Sequence, residues 1–140
     1  MTTATQTERA QELVEAFEMF DNWEDRYRFL IDLGKKLPPL PEDARVEQNR
    51  VHGCQSNVWM IGEKTPQNTI SFVADSDSTI VRGLIAVLRQ IYNDQTPDAI
   101  LGFDVDAYLA TLELDQHLSM GRRNGLAGMV SRIKTLAATA

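Results

Sequence analysis

The chain has 140 residues, 43% hydrophobic and 24% charged, which is ordinary usage for a single globular domain spanning 1–140. Fourteen Lys and Arg against twenty Asp and Glu leave a net charge of −6, which argues against a general nucleic-acid binder. One cysteine and two histidines exclude an internal disulfide and a thiolate-rich zinc or iron–sulfur site, so no metal or cofactor is expected.

The N-terminal stretch has no basic region followed by an apolar core, and no run approaches the ~20 apolar residues that a bilayer needs. These features predict a soluble, cytoplasmic protein with no membrane contact. Thr5 and Glu8 fit a capping box, and Ala10, Leu13, Val14 and Phe17 follow on one helical face. Asn22 is a cap for a second helix, with Trp23, Tyr27, Leu30 and Ile31 as its apolar stripe. Gly34 suits the left-handed position beyond that helix, with Lys35 and Lys36 at the negative end of its dipole. Leu37-Pro38-Pro39-Leu40-Pro41 reads as a stiff, extended surface connector.

The middle of the chain is β. Val51 leads into a polar turn, Gly53-Cys54-Gln55-Ser56-Asn57. Val58–Ile61 then reads as a strand, Gly62–Asn68 as its ending turn, and Thr69–Val73 as the next strand. The simplest assembly is a three-stranded antiparallel meander whose first turn carries Cys54. Asp75-Ser76-Asp77-Ser78 offers caps for a helix over Thr79–Tyr92, whose two adjacent apolar faces predict the most buried helix. Thr96-Pro97 opens a short helix, Asp104 caps another, and Ser119 or Asn124 opens the last, with Leu126, Met129, Val130 and Ile133 on its face. The fold class is α+β: a small three-stranded antiparallel sheet flanked by helices.

Among the residues capable of chemistry, Cys54 stands first, because it lies in a polar turn and not on an apolar face. A lone cysteine is often only a small buried hydrophobe, and both readings stay open on the residues alone. His52 lies two positions earlier; in an extended strand the two side chains share a face, and an imidazolium there would favour the thiolate. The alternative for His52 is an exposed polar residue at a strand end, and His117, in a helix connection, reads as structural or solvated. Arg122-Arg123 is the only paired arginine and precedes the last apolar stripe, where cations are unfavourable at a helix start. Asp75, Asp77, Asp104 and Asp106 are better read as caps and turn residues than as metal ligands.

Four blocks in order resemble the SufE family of sulfur acceptors: Trp23-Glu24-Asp25-Arg26-Tyr27 with Leu33–Pro38, Val51–Trp59 around Cys54, Asp75-Ser76-Asp77 with Ile80–Leu84, and Leu118–Leu126. The resemblance covers most of the chain from Asn22 onward. It implies a SufE/IscU-like fold and a protein that takes sulfane sulfur from a pyridoxal-phosphate cysteine desulfurase of the SufS type. Such a protein stimulates the desulfurase, holds the sulfur as a cysteine persulfide and passes it to an iron–sulfur scaffold of the SufBCD type. Cys54 matches the acceptor cysteine, and Arg122 matches an arginine near the partner contact. Arg123 departs from the small polar residue usual at its position, which leaves the two arginines to be told apart. Gly53, Gln55, Ser56 and Trp59 belong to the block around the cysteine. The Gly-Cys-Gln-Ser-x-Val-Trp run fits SufE better than its paralogue CsdE.

Two other functions remain at this stage. One is a binding partner that activates a desulfurase allosterically with Cys54 incidental. The other is a CsdE-like carrier feeding another sulfur route. Val58, Trp59 and Met60 are candidates to wall a resting pocket for the thiol. Either a monomer or a homodimer is compatible with the sequence.

Overall fold

The structure is a computed structural model, which describes residues 6–52 and 56–139. The elements run α1 (Gln6–Glu18), α2 (Trp23–Lys35), two single turns of 3-10 helix (Glu42–Ala44 and Glu47–Asn49), β1 (Val58–Lys64), β2 (Ile70–Ser76), α3 (Thr79–Tyr92), α4 (Pro97–Gly102), α5 (Val105–Thr111), α6 (Leu114–His117) and α7 (Met120–Ala138). None of these helices is long and apolar enough to cross a membrane.

α1 buries Ala10, Leu13, Val14 and Phe17, the four residues that its periodicity selects. The Thr5 half of the expected capping box lies outside the described residues. Asn22 caps α2 by accepting from the Asp25 amide at 2.9 Å. α3 is apolar on two adjacent faces and packs against α1, α2, β2 and α7, with Ile85, Val87, Leu88, Ile91 and Tyr92 fully buried. Ser78, Thr96, Asp104 and Ser119 cap α3, α4, α5 and α7 through their side chains. Ser119, and not Asn124, therefore opens the last helix, which buries Leu126, Met129, Val130 and Ile133.

Gly34 is not a helix stop. It lies within α2, buried against α3, where a Cβ would come within 2.8 Å of the Gly83 nitrogen. The converse contact is tighter: a Cβ on Gly83 would lie 2.4 Å from the Leu30 carbonyl oxygen. These two glycines let the helix backbones touch where α2 crosses α3.

The sheet has two strands among the described residues, not three. β1 and β2 pair antiparallel from Val58↔Ser76 to Lys64↔Ile70. Both extend beyond the apolar runs: Gly62, Glu63 and Lys64 belong to β1, and Ala74, Asp75 and Ser76 to β2. Opposed residues share a face, so Val58, Met60, Ile70, Phe72 and Ala74 enter the core together. The expected first strand shrinks to a single bridge, Arg50↔Trp59, followed by a Val51 amide bond to the Val58 carbonyl at 2.8 Å. The chain before it coils in the two 3-10 turns, which Asn49 braces by donating Nδ2 to the Ala44 carbonyl at 2.9 Å. Residues committed to i→i−3 bonds cannot also extend along β1.

Tyr92 and Tyr108 bury their hydroxyls without a hydrogen-bond partner among the described residues. Burial, aided by the Asp106 carboxylate, pushes the Tyr92 phenol up to about 12, and burial alone pushes Tyr108 up as well. An unfolded phenol titrates at about 10, so above that pH the unfolded chain releases protons that the folded chain retains. This contribution to stability is complete below about pH 10 and is lost as pH rises through the folded values. Thermal melts should therefore fall steeply above about pH 10, and the double change Tyr92→Phe with Tyr108→Phe should flatten that fall. At neutral pH the same variant should melt within about 3 °C of the wild type, since neither hydroxyl gives up a bond.

Candidate functional site

The site is built around the segment that carries Cys54, and both of its flanks are fixed. On the N-terminal side, Val51 is buried and hydrogen-bonded to Val58. The His52 carbonyl lies so close to Gly128 of α7 that a Cβ there would approach it to 3.0 Å. On the C-terminal side, Asp77 clasps Asn57. Its carboxylate accepts from the Asn57 amide at 3.2 Å and from Nδ2 at 2.9 Å, while the Asp77 amide donates to the Asn57 carbonyl at 3.4 Å.

Beneath the flanks lies a charged cluster on the outer face of the sheet. Asp75, opposite Trp59 in register, is only 14% exposed on its side chain. It pairs with Arg45 and lies 2.9 Å from Arg82 Nε. The Arg45 guanidinium covers the Trp59 ring at 5.1 Å. One carboxylate thus ties together the connector, the sheet and α3. Asp75 and Ser76 are strand residues here and not helix caps, because Trp59 and Val58 continue the ladder opposite them.

A cavity of about 300 Å³ opens between the C-terminal flank and the start of α7. Ser56, Ser119 and Arg122 supply its polar lining, and Leu84, Leu126 and Met129 its apolar lining. Ser119 Oγ accepts the Arg122 amide at 3.3 Å, which fixes the first turn of α7. Arg122 is exposed and makes no ion pair among the described residues. A cation in that turn opposes the helix dipole, so helix stability does not account for it.

Two of the expected site residues are brought together and others are not. Ser56 and Arg122 line one cavity. Arg123 lines a different one and reaches the Asp115 carbonyl at 3.5 Å. His52 is exposed and stands 3.5 Å from Glu47. Trp59 lies under Arg45, while Val58 and Met60 are core residues, so none of the three lines the cavity beside Ser56. Gly53, Cys54 and Gln55 lie outside the described residues. Among the described residues no group of three or more His, Cys, Asp or Glu converges as a metal site would require.

Sequence reasoning missed the Asn57–Asp77 clasp and the Asp75 cluster. The signal was present: two aspartates, two positions apart, at the end of a strand whose partner begins shortly after the cysteine. His117 is exposed and has a structural role, one of the two readings expected for it. It stacks on Trp23 at 4.0 Å, and its carbonyl accepts from the Tyr27 hydroxyl, which docks α6 on the start of α2.

Comparison with known proteins agrees with this architecture. The family model for SufE, described as a Fe-S metabolism associated domain, matches residues 11–137. Among solved structures, the solution structure of a hypothetical protein from Thermus thermophilus aligns with a TM-score of 0.76 at 21% identity, covering 94% of this chain and 95% of that one. At that identity the likeness speaks for the fold alone.

Proposed function

Since the chain belongs to the SufE family and so to iron–sulfur metabolism, we propose that it is a sulfur carrier that accepts sulfane sulfur on Cys54. The donor is a pyridoxal-phosphate cysteine desulfurase of the SufS type, and the receiver an iron–sulfur scaffold of the SufBCD type. The Cys54 thiolate attacks the outer sulfur of the desulfurase's cysteine persulfide. A new S–S bond forms to Cys54, the old one breaks, and the desulfurase cysteine leaves as its thiolate. Sulfur changes hands with no net oxidation, so this chain needs no redox partner for the step. Transfer onward repeats the exchange, with an acceptor thiolate attacking the outer sulfur. A chain with one cysteine suits this chemistry, since no second thiol of its own can resolve the persulfide as an internal disulfide.

The observation that carries the reading is the cavity shared by Ser56 and Arg122 beside the segment holding the only cysteine. Ser56 is two residues from Cys54 in sequence, and a guanidinium on the cavity it lines is a charge suited to an anionic persulfide. The charge balance fits as well, because an acidic chain meets protein partners more readily than nucleic acid. Work in the cytoplasm belongs to the same proposal, since a reducing compartment keeps an unpaired thiol available.

The test is intact mass before and after incubation with an active desulfurase and free cysteine, without reductant. Wild type should gain the mass of one sulfur, lost again on adding a thiol, and Cys54→Ser should gain none. Equal gain by both proteins, or none by either, would overturn the proposal. Full stimulation of the desulfurase by Cys54→Ser would point instead to an allosteric partner.

A further inference from the structure

A second concavity lies elsewhere: an open groove of about 710 Å³ between α7 on one side and α4, α5 and α6 on the other. Its floor is apolar, with Val105, Leu114, Leu118 and Val130 among the residues that form it. Leu101 on its edge is 46% exposed, which carries the apolar surface up to the rim. The two edges carry opposite charge. Asp106 of α5 and Asp115 of α6 stand on one edge, and Arg123 and Lys134 of α7 on the other; the edges draw together at one end, where Arg123 Nη1 donates to the Asp115 carbonyl at 3.5 Å. None of the four makes a side-chain ion pair among the described residues.

We propose that this groove is a docking site for an amphipathic helix of a partner protein, its apolar face down, Lys or Arg along one flank and Glu or Asp along the other. From Arg123 to Lys134 is eleven steps along α7, about 16 Å, which matches three turns of a docked helix. A helix with apolar residues at i, i+3, i+4 and i+7 covers such a floor, and its flanks meet the two charged edges. A lipid-like amphiphile needs one charged anchor and an enclosed apolar channel, which paired edges of both signs do not offer. A second copy facing this one across a two-fold axis would set concave against concave and leave the floor unfilled. The proposal stands whether or not Cys54 carries sulfur.

The test uses the full chain and two fluorescent stapled helical peptides of about 15 residues with the same leucine face. One carries Lys on one flank and Glu on the other; its companion carries Lys on both. At about 0.15 M salt, where long-range attraction to the acidic protein is screened, wild type should bind the mixed-flank peptide about tenfold more tightly. The double change Arg123→Glu with Lys134→Glu makes both edges acidic and should reverse the preference. Leu101→Glu should weaken both peptides, and circular dichroism establishes that each variant is folded. Equal affinities in wild type, no binding, or an unchanged preference in the folded double variant would overturn the proposal. So would lauric acid that saturates the groove and displaces the peptide, or a concentration-dependent dimer that Leu101→Glu dissolves.

Discussion

Gly83→Ala should lower the melting temperature by about 10 °C, although alanine is the better helix former. The added methyl carbon would lie 2.4 Å from the Leu30 carbonyl oxygen, 2.7 Å from its carbonyl carbon and 3.0 Å from its Cβ. Two of these are backbone atoms of α2, so no side chain can rotate out of the way. The helices must separate along a crossing that also seats Gly34, and Leu30, fully buried there, loses its packing. Forcing a methyl group into a close-packed contact costs about 1–3 kcal/mol, more where backbone must move. The helix propensity gain of about 1 kcal/mol offsets only part of it. Gly102→Ala is the control. It lies at the end of α4 with nothing within 4 Å of a Cβ, so the same substitution there should leave the melt unchanged or raise it slightly. Gly34→Ala strains the same crossing from the other side, and the double variant should cost less than the sum of the singles. Equal melts for Gly83→Ala and Gly102→Ala would refute the close crossing.

That crossing also marks where the sequence stops being legible. Apolar periodicity finds α1, α3 and α7, because each buries one continuous face, and side-chain oxygens at Asn22, Ser78, Thr96, Asp104 and Ser119 mark helix starts. A glycine carries no such mark. Gly34 near the end of a helical stripe looks like a terminator until the facing helix is known, because its role depends on Gly83, 49 residues away. The missing third strand is a failure of the same kind. Residues 42–49 have no feature that distinguishes an extended segment from two 3-10 turns; the turns are held by a bond within the segment, Asn49 to the Ala44 carbonyl, and by one to a distant strand, Arg45 to Asp75. Local signals fix caps and stripes, whereas strand ends and charged clusters depend on what the rest of the chain brings alongside. The cysteine segment is legible as a chemical feature from its residue types alone. The contacts of its flanks, Asn57 with Asp77 and His52 with Gly128, are not, since both partners lie far along the chain.

Adjacent in sequence, Arg122 and Arg123 should differ sharply in sulfur transfer. They lie about 100° apart around α7, and they open onto different cavities: Arg122 with Ser56 beside the Cys54 segment, Arg123 with Asp115 on the far groove. If Cys54 carries sulfur, an unpaired guanidinium on the cavity that Ser56 lines has two tasks, attracting the anionic persulfide and meeting a carboxylate on the desulfurase. Both need a delocalised, permanently charged fork, which lysine does not reproduce. An interface arginine of this kind is worth about 2 kcal/mol, so Arg122→Ala should slow persulfide formation on Cys54 about 30-fold. Arg122→Lys should recover only part of the rate, because charge returns without the planar geometry. Arg123→Ala should transfer sulfur at close to the wild-type rate. None of the three should shift the melt by more than about 3 °C, because Arg122 is exposed and its backbone amide keeps the Ser119 cap whatever the side chain. The measurement is single-turnover mass gain against time with a limiting desulfurase. Equal losses from Arg122→Ala and Arg123→Ala would mean that net positive charge at the start of α7 matters and the shared cavity does not. A loss confined to Arg123→Ala would move the contact surface to the far side of the helix.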